Sequence, residues 1–257
     1  MENDTSASPS GAPVTAAILV IGDEILSGRT QDTNTHTIAN WLAARGVRLR
    51  ETRTVADDQA AIVAGLNALR AAYDYVFTTG GIGPTHDDIT ADAVAAAVGA
   101  RLVENAEALR RLEAALGAEK LNPARRRMAR APEGAILIDN PVSAAPGFQI
   151  ENVFVLAGVP RIMQAMLDNL DGRIRGGVPI TSVTLRCDLR EGDIAAALGE
   201  IQAAESEVSL GSYPSYGPDG PRVSVVVRGE DAARVEAAAS AVTAALSRLG
   251  GEAERIV

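Results

Sequence analysis

The sequence predicts an α/β protein: a three-layer, doubly wound, mostly parallel sheet, followed by a second, smaller α+β domain. Three observations carry this expectation. The runs Ala16-Ala17-Ile18-Leu19-Val20-Ile21 and Val153-Phe154-Val155-Leu156 are apolar without alternation, the mark of strands covered on both faces. Such runs alternate with segments of helical spacing, which places parallel strands between helical layers. From Asp171 to Pro179 the chain turns rich in Gly and Pro, the composition of a linker, and the element order changes after it.

The first strand ends at Gly22, and a polar loop from Asp23 to Thr33 leaves its carboxyl end. Thr33 or Asn34 is placed to cap a helix carrying Ile38, Trp41 and Leu42 on one face, with Gly46 to stop it. Leu49 to Val55 reads as a strand. Asp57 or Asp58 caps a helix with Ile62, Leu66 and Leu69 at helical spacing, and the strand Tyr73 to Thr79 runs directly into Gly80-Gly81. Helices are predicted over Thr90 to Val98, Ala106 to Leu116 and Ala124 to Ala129, and strands over Ala135 to Ile138 and Val153 to Leu156. The loops after Ile21, Thr79 and Leu156 therefore share the carboxyl edge of the sheet, where ligands of such folds bind.

Beyond the linker the order is strand (Ile180 to Asp188), helix (Asp193 to Ala203), strand (Val208 to Ser212), strand (Arg222 to Arg228), helix (Glu230 to Leu249) and strand (Glu252 to Val257). That is the order of a ferredoxin-like sandwich. The expected domains are 14-172 and 178-257, preceded by a disordered tail over 1-13. The tail is polar, with neither the basic start nor the apolar run of a secretory signal.

Of 257 residues, 47% are hydrophobic and 3% aromatic, enough for a substantial core and too few aromatics for a base-stacking platform. The net charge of −9 argues against nucleic acid and anionic membrane as partners. No apolar stretch is long enough to cross a bilayer, so a cytoplasmic location is expected. Cys187 is the single cysteine and reads as a buried strand residue rather than a disulfide or metal ligand.

The strongest local signal is Thr79-Gly80-Gly81-Ile82-Gly83-Pro84-Thr85, where glycines permit close backbone approach and leave N–H groups facing an anion. Asp87, Asp88 and Thr90 follow it, placed to cap the next helix, to hold a cation or to orient water. The same glycines also suit a purely structural turn. At the same edge Asp23 and Glu24 offer oxygen ligands of the kind Mg²⁺ takes beside phosphate, and equally serve as turn caps. Asp32, Asn34 and His36 follow them. His36 and His86 are too few for a three-histidine zinc site. Arg125-Arg126-Arg127 and Arg130 read either as a phosphate clamp or as a solvated helix face. Pro146-Gly147-Phe148 and Gly158-Val159-Pro160 read as turns shaping the pocket wall.

Gly22-Asp23-Glu24-Ile25-Leu26-Ser27-Gly28, Asp32-Thr33-Asn34, the run from Gly80 to Thr90, Ala145-Pro146-Gly147-Phe148 and Gly158-Val159-Pro160 stand in this order. In that order the chain resembles the molybdopterin-binding family, and within it the N-terminal region of the competence-damage-inducible, or CinA-like, group. The resemblance covers Thr15 to Leu170 and extends loosely through Gly211-Ser212-Tyr213-Pro214 and Val226-Val227-Arg228-Gly229. It implies a phosphate- or pterin-binding glycine loop, Asp88 and Asp57 as functional carboxylates, and metal-dependent hydrolysis of ADP-ribose-like or FAD-like dinucleotides.

The resulting set is Asp88, Asp57 and Asp23 for catalysis, and Asp23, Glu24 and Asp88 for a divalent metal such as Mg²⁺. Gly80, Gly81, Gly83, Pro84, Thr85, Asp87, Thr90, Asn34, Gly147 and Gly158 are expected to bind the nucleotide. The alternatives are a binder of molybdopterin or its adenylylated form, and a non-catalytic nucleotide module. The resemblance further implies a homo-oligomer, dimer or trimer. The chain departs from its relatives at Asn122 to Ala129 and at Val142 to Gly147. It also stops at Val257, short of the amidase domain of longer relatives, so no deamidation is expected.

Overall fold

The computed structural model describes residues 12–217 and 220–256. Most of the segment expected as a tail lies outside them. The chain forms two compact units, dividing between Gly177 and Val178.

In the first unit β1 (Thr15–Ile21) is buried along almost its whole length. A short α1 (Asp23–Leu26) and then α2 (Asn34–Ala43) follow. Thr33, one of the two expected caps, stands at the N-cap position of α2 but makes no side-chain cap bond; the carboxylate of Asp32 before it accepts the N–H groups of Asn34 and Thr35 at 2.9 and 3.2 Å. Asn34 is unavailable because its amide is turned inward to the Gly158 carbonyl. β2 (Arg48–Val55) alternates half-buried and exposed positions, as befits an edge strand. Asp58 caps α3 (Gln59–Ala72) by accepting the Ala61 N–H at 2.8 Å, and β3 (Tyr75–Thr79) leads into the glycine-rich turn.

After the turn come α4 (Thr90–Val98), β4 (Leu102–Glu104), α5 (Ala106–Leu116), α6 (Pro123–Arg126) and β5 (Arg130–Pro132), with β4 and β5 pairing antiparallel. The unit closes with β6 (Ile136–Ile138), β7 (Gly147–Ile150), β8 (Val153–Leu156) and α7 (Pro160–Asp168). The main sheet runs β2-β1-β3-β8-β7-β6. Its first four strands are parallel, and β7 and β6 add an antiparallel edge.

Alternate residues of the parallel strands feed two cores. Ile18, Phe77 and Phe154 pack toward α2 and α7, against Ile38, Leu42, Met163 and Met166. Leu19, Val76 and Val155 pack toward α3 and α4, against Ile62, Leu66, Leu69 and Val94. Phe77 stacks on Phe154 at 5.0 Å between centroids and meets the edge of Trp41 at 6.1 Å, geometries that aromatic quadrupoles favour.

Two local expectations are corrected. Gly147 and Phe148 are not a turn: they belong to β7, which folds back on β8 around Glu151, a residue with φ of 49°. The turn lies four residues later than the Pro-Gly pair suggests. The helix α7 was not anticipated, although Met163, Met166 and Leu167 stand at helical spacing and are buried.

In the second unit β9 (Thr181–Cys187), α8 (Glu191–Ala204), β10 (Val208–Gly217), β11 (Gly220–Gly229), α9 (Ala232–Arg248) and β12 (Ala253–Ile256) follow the expected order. The sheet is antiparallel in the order β10-β11-β9-β12, the ferredoxin-like arrangement. The strand expected to end at Ser212 continues to Gly217, paired antiparallel with β11. Cys187 is free and buried in β9. Among the described residues no helix is long and apolar enough to cross a membrane.

Phe77 is wholly buried at the centre of the first core, so Phe77→Ala is expected to destabilise the first unit by about 3–5 kcal/mol, through lost transfer energy and a residual cavity. Denaturant unfolding checks this; a loss below about 1 kcal/mol would contradict the packing described.

Candidate phosphate-binding cleft

The carboxyl ends of β1, β3 and β8 meet side by side, because the three strands pair in parallel register from Val20–Thr79 to Thr79–Leu156. Their outgoing loops are tied together by hydrogen bonds. Gly80 N–H donates to the Leu156 carbonyl at 3.3 Å, and the Asn34 amide donates to the Gly158 carbonyl at 2.7 Å. Gly22 N–H donates to Val55, and the Asp23 N–H to the Asp57 carboxylate at 2.9 Å.

The glycine turn can be made only without side chains. Gly80 has φ of +102°, and a β-carbon there would lie 2.1 Å from the Ile21 carbonyl oxygen. Gly81 has φ of +66°, and its β-carbon would lie 2.2 Å from the Thr90 hydroxyl. Thr90, fully buried, braces the turn from beneath: its hydroxyl donates to the Gly80 carbonyl at 2.9 Å and its N–H to the Gly81 carbonyl at 3.0 Å. Asp88 does not cap α4. Its carboxylate accepts the N–H and hydroxyl of Thr85, closing the outer half of the loop on itself.

Above this turn opens a cleft of about 500 Å³. Its floor is Gly80, Gly81 and Gly158; Glu24, Thr30 and Asp88 stand at its polar side, and Ile82, Met128, Val159 and Ile162 form apolar walls. A smaller recess of about 50 Å³ continues inward between Glu24, Thr30, Asn34, Thr79 and Gly158.

The cleft thus gathers Glu24, Gly80, Gly81, Gly83, Pro84, Asp88 and Gly158 from the expected set, and Asn34 lines the recess. Thr90 lies beneath the floor, and Thr85 acts through Asp88. Gly147 stands apart, paired with Ile138 inside the sheet. Met128, Asn140, Ser143 and Ala145 also line the cleft; Met128, Ser143 and Ala145 come from the two stretches where the sequence departs from its relatives, which was the available signal, and Asn140 stands just before the second. His86 is exposed, with Nδ1 3.9 Å from the Asp87 carboxylate.

The basic cluster is divided, three of its four arginines being committed away from the glycine loop. Arg126 pairs with Glu104, Arg130 with Asp92 at 2.9 Å, and Arg125 donates to the Lys120 carbonyl. Arg127 alone of these reaches the glycine loop: it donates to the Asp88 carbonyl at 3.0 Å, and its buried Nε has no hydrogen-bond partner.

On the other side Asp57 collects negative charge. Partial burial raises its carboxyl above the ordinary aspartate value, opposed by the bond from the Asp23 N–H and reinforced by the charges of Asp23, Glu24 and Asp87. Among the described residues no three His, Cys, Asp or Glu side chains are gathered closely enough to cage a metal. Asp23, Glu24 and Asp88, expected as metal ligands, are thus not gathered into one cluster; Glu24 and Asp88 line the cleft and Asp23 lies beside Asp57.

A three-layer α/β unit whose glycine-rich turn stands at the carboxyl edge of a largely parallel sheet defines the class of α/β domains that bind their ligands at that edge. Residues 17–175 match the family model described as "Probable molybdopterin binding domain", and the chain belongs to that family. Residues 179–250 match the model described as "FAD synthase, middle domain". A "CinA-like protein" of Citrifermentans bemidjiense is 40% identical over 213 residues, covering 79% of this chain and 49% of that protein. A "Probable FAD synthase" of Caenorhabditis elegans is 35% identical over 228 residues, covering 78% of this chain and 44% of that protein. The crystal structure of CinA from Thermoplasma acidophilum, described as of unknown function, superposes with a TM-score of 0.60 at 34% identity, over 63% of this chain and 98% of that one. The chain spans about half the length of the first curated relative it matches.

Two outcomes follow from the geometry. Gly81→Ala forces a left-handed alanine onto the Thr90 hydroxyl and is expected to cost on the order of 1–3 kcal/mol, read as a lowered unfolding midpoint; an unchanged midpoint would show that the turn tolerates a side chain. For Asp57 the sign is set by a folded-state carboxyl that holds its proton more tightly than the unfolded chain does. Its contribution is fully present below the ordinary value of 3.8 and is lost as pH rises through the raised value. Relative to the native chain, Asp57→Asn should therefore gain stability as pH rises from below 3.8 to neutrality. Denaturation at both ends of that range measures the gain, and a pH-independent difference would contradict it.

Proposed function

We propose that the cleft binds a dinucleotide through its pyrophosphate and that the protein is a metal-dependent pyrophosphatase acting on ADP-ribose-like or FAD-like nucleotides. The observation that carries this reading is the glycine turn, where Gly81 and Gly83 bring backbone to the cleft beside the carboxylates of Glu24 and Asp88, with the Arg127 guanidinium on the Asp88 carbonyl. Backbone N–H groups and Arg127 attract phosphate oxygens. Glu24 and Asp88 would repel them unless a cation intervenes, and Asp23, Glu24 and Asp88 are the residues that would hold it. When bound, such an ion neutralises charge developing on the phosphate and makes bound water more acidic.

The chain's own groups supply the rest. Thr85 fixes the Asp88 carboxylate in one direction. Asp57, with its proton affinity raised, is suited to accept a proton from an attacking water. The apolar walls at Ile82, Met128 and Val159 limit bulk water around the reacting phosphate. The C. elegans relative is described as a "Probable FAD synthase", and FAD is itself a nucleotide pyrophosphate.

A second reading, binding of molybdopterin or its adenylylated form, draws on the same walls, which suit a flat ring, and on the family's description. Hydrolysis of ADP-ribose and FAD with Mg²⁺, Mn²⁺, Co²⁺ or chelator, by the native chain and by Asp88→Asn and Asp57→Asn, separates the readings. Metal-dependent release of AMP, reduced about 10²-fold or more in Asp57→Asn, is expected. Binding of these nucleotides without turnover would indicate a non-catalytic module, and binding of pterin alone would establish the second reading.

A further inference from the structure

Asn34 is buried to 6% exposure at the start of α2. Its amide nitrogen is committed to the Gly158 carbonyl at 2.7 Å, which fixes which end of the amide is oxygen. The oxygen, Oδ1, is buried and has no hydrogen-bond partner. An unpaired buried acceptor is costly, so its persistence calls for an occupant that donates. Asn34 lines the inner recess, which shares Glu24, Thr30, Gly80 and Gly158 with the main cleft. At about 50 Å³ the recess holds a few waters or one small polar group, since a water needs about 10–15 Å³; a phosphate or a ring does not fit whole.

We propose that Asn34 is a specificity-determining residue whose Oδ1 accepts a hydrogen bond from an uncharged donor on the ligand, a ribose hydroxyl or an exocyclic amine. This rests on the reading of the cleft as a nucleotide site and changes the part Asn34 plays in it. A phosphate oxygen has no proton to offer Oδ1, and the neighbouring Glu24 carboxylate repels it. The pyrophosphate therefore stays over Gly80 and Gly81, while the recess reads a group one step further along the ligand. Sites built to pair a donor reject the analogue that lacks it, because the partner is then left buried and unpaired.

The test measures equilibrium binding in the presence of Mg²⁺, with hydrolysis suppressed by a methylene in place of the bridging pyrophosphate oxygen, of ADP-ribose, its 2′-deoxy and 3′-deoxy forms on the adenosine side, and the hypoxanthine analogue lacking the amine. The native chain is compared with Asn34→Leu and Asn34→Asp. The native chain is expected to bind one analogue about tenfold more weakly than ADP-ribose, and the identity of that analogue tells hydroxyl from amine. Asn34→Leu should bind parent and analogue equally. Asn34→Asp, which keeps an acceptor but loses the donor to Gly158, should retain the preference even if both affinities fall. A merely structural Asn34 would weaken all ligands by one factor and leave the ratio intact in Asn34→Leu, which would overturn the proposal. Equal binding of every analogue by the native chain would overturn it as well. If ADP-ribose and FAD both fail to bind the native chain, the nucleotide reading falls and this assignment with it. Thermal melts of both variants confirm that they fold.

Discussion

The carbonyl oxygen of Ile21 occupies the space that a β-carbon on residue 80 would fill. Three parallel strands can end this close together only because the chain leaving β3 carries no side chain where it passes β1. Gly158 continues the contact, approaching Gly80 from the end of β8. The floor of the cleft is thus backbone packed on backbone, and the remaining contacts stabilise that arrangement. Thr90 braces it from below, the Asn34 amide ties the β8 loop to α2, and Asp57 ties the β1 loop to the end of β2. Loss of the close approach would separate the three loops and disperse the groups they carry.

Electrostatics impose a second constraint. A chain of net charge −9 can hold an anion only where its own carboxylates are offset locally. Most of its arginines near the cleft are spent internally: Arg126 on Glu104 and Arg130 on Asp92. Surface pairs of this kind contribute little to stability, yet they remove three of the cluster's competitors for the loop once Arg125 is counted with its Lys120 carbonyl. Arg127 keeps its charge uncompensated beside Asp88, so attraction is confined to one flank of the glycine turn while repulsion builds on the Asp57 flank.

The fold was legible where one interaction dominates each residue's choice. Doubly buried strands such as β1 and β8 read directly, because apolar runs without alternation have few other destinations. The ferredoxin-like order of the second unit read equally well from the succession of its elements, with alternation along β9. Legibility failed where the choice is tertiary. Nothing local in Pro146-Gly147-Phe148 indicates that the chain continues straight into β7 and reverses only at Glu151. Asp32 and Asn34 are both good caps in isolation, and the draw of the Gly158 carbonyl decides between them. In the cleft, the glycines, Glu24, Asp88 and Gly158 were visible as motif residues. Met128, Asn140 and Ala145 were not, since they reach the cleft from a part of the chain whose path depends on β6 and β7. The roles of the four arginines were likewise undecidable without their partners.

A floor made of main chain has an evolutionary corollary. Substituting side chains cannot reshape it without breaking it, so under the proposed function it fixes the part of the ligand that it anchors. Variation is left to the walls, where Met128, Ser143 and Ala145 hang from connections outside the parallel strands. New preferences can be acquired there one residue at a time while the anchoring contact is inherited unchanged. Such a scaffold changes more readily at its walls than at its floor.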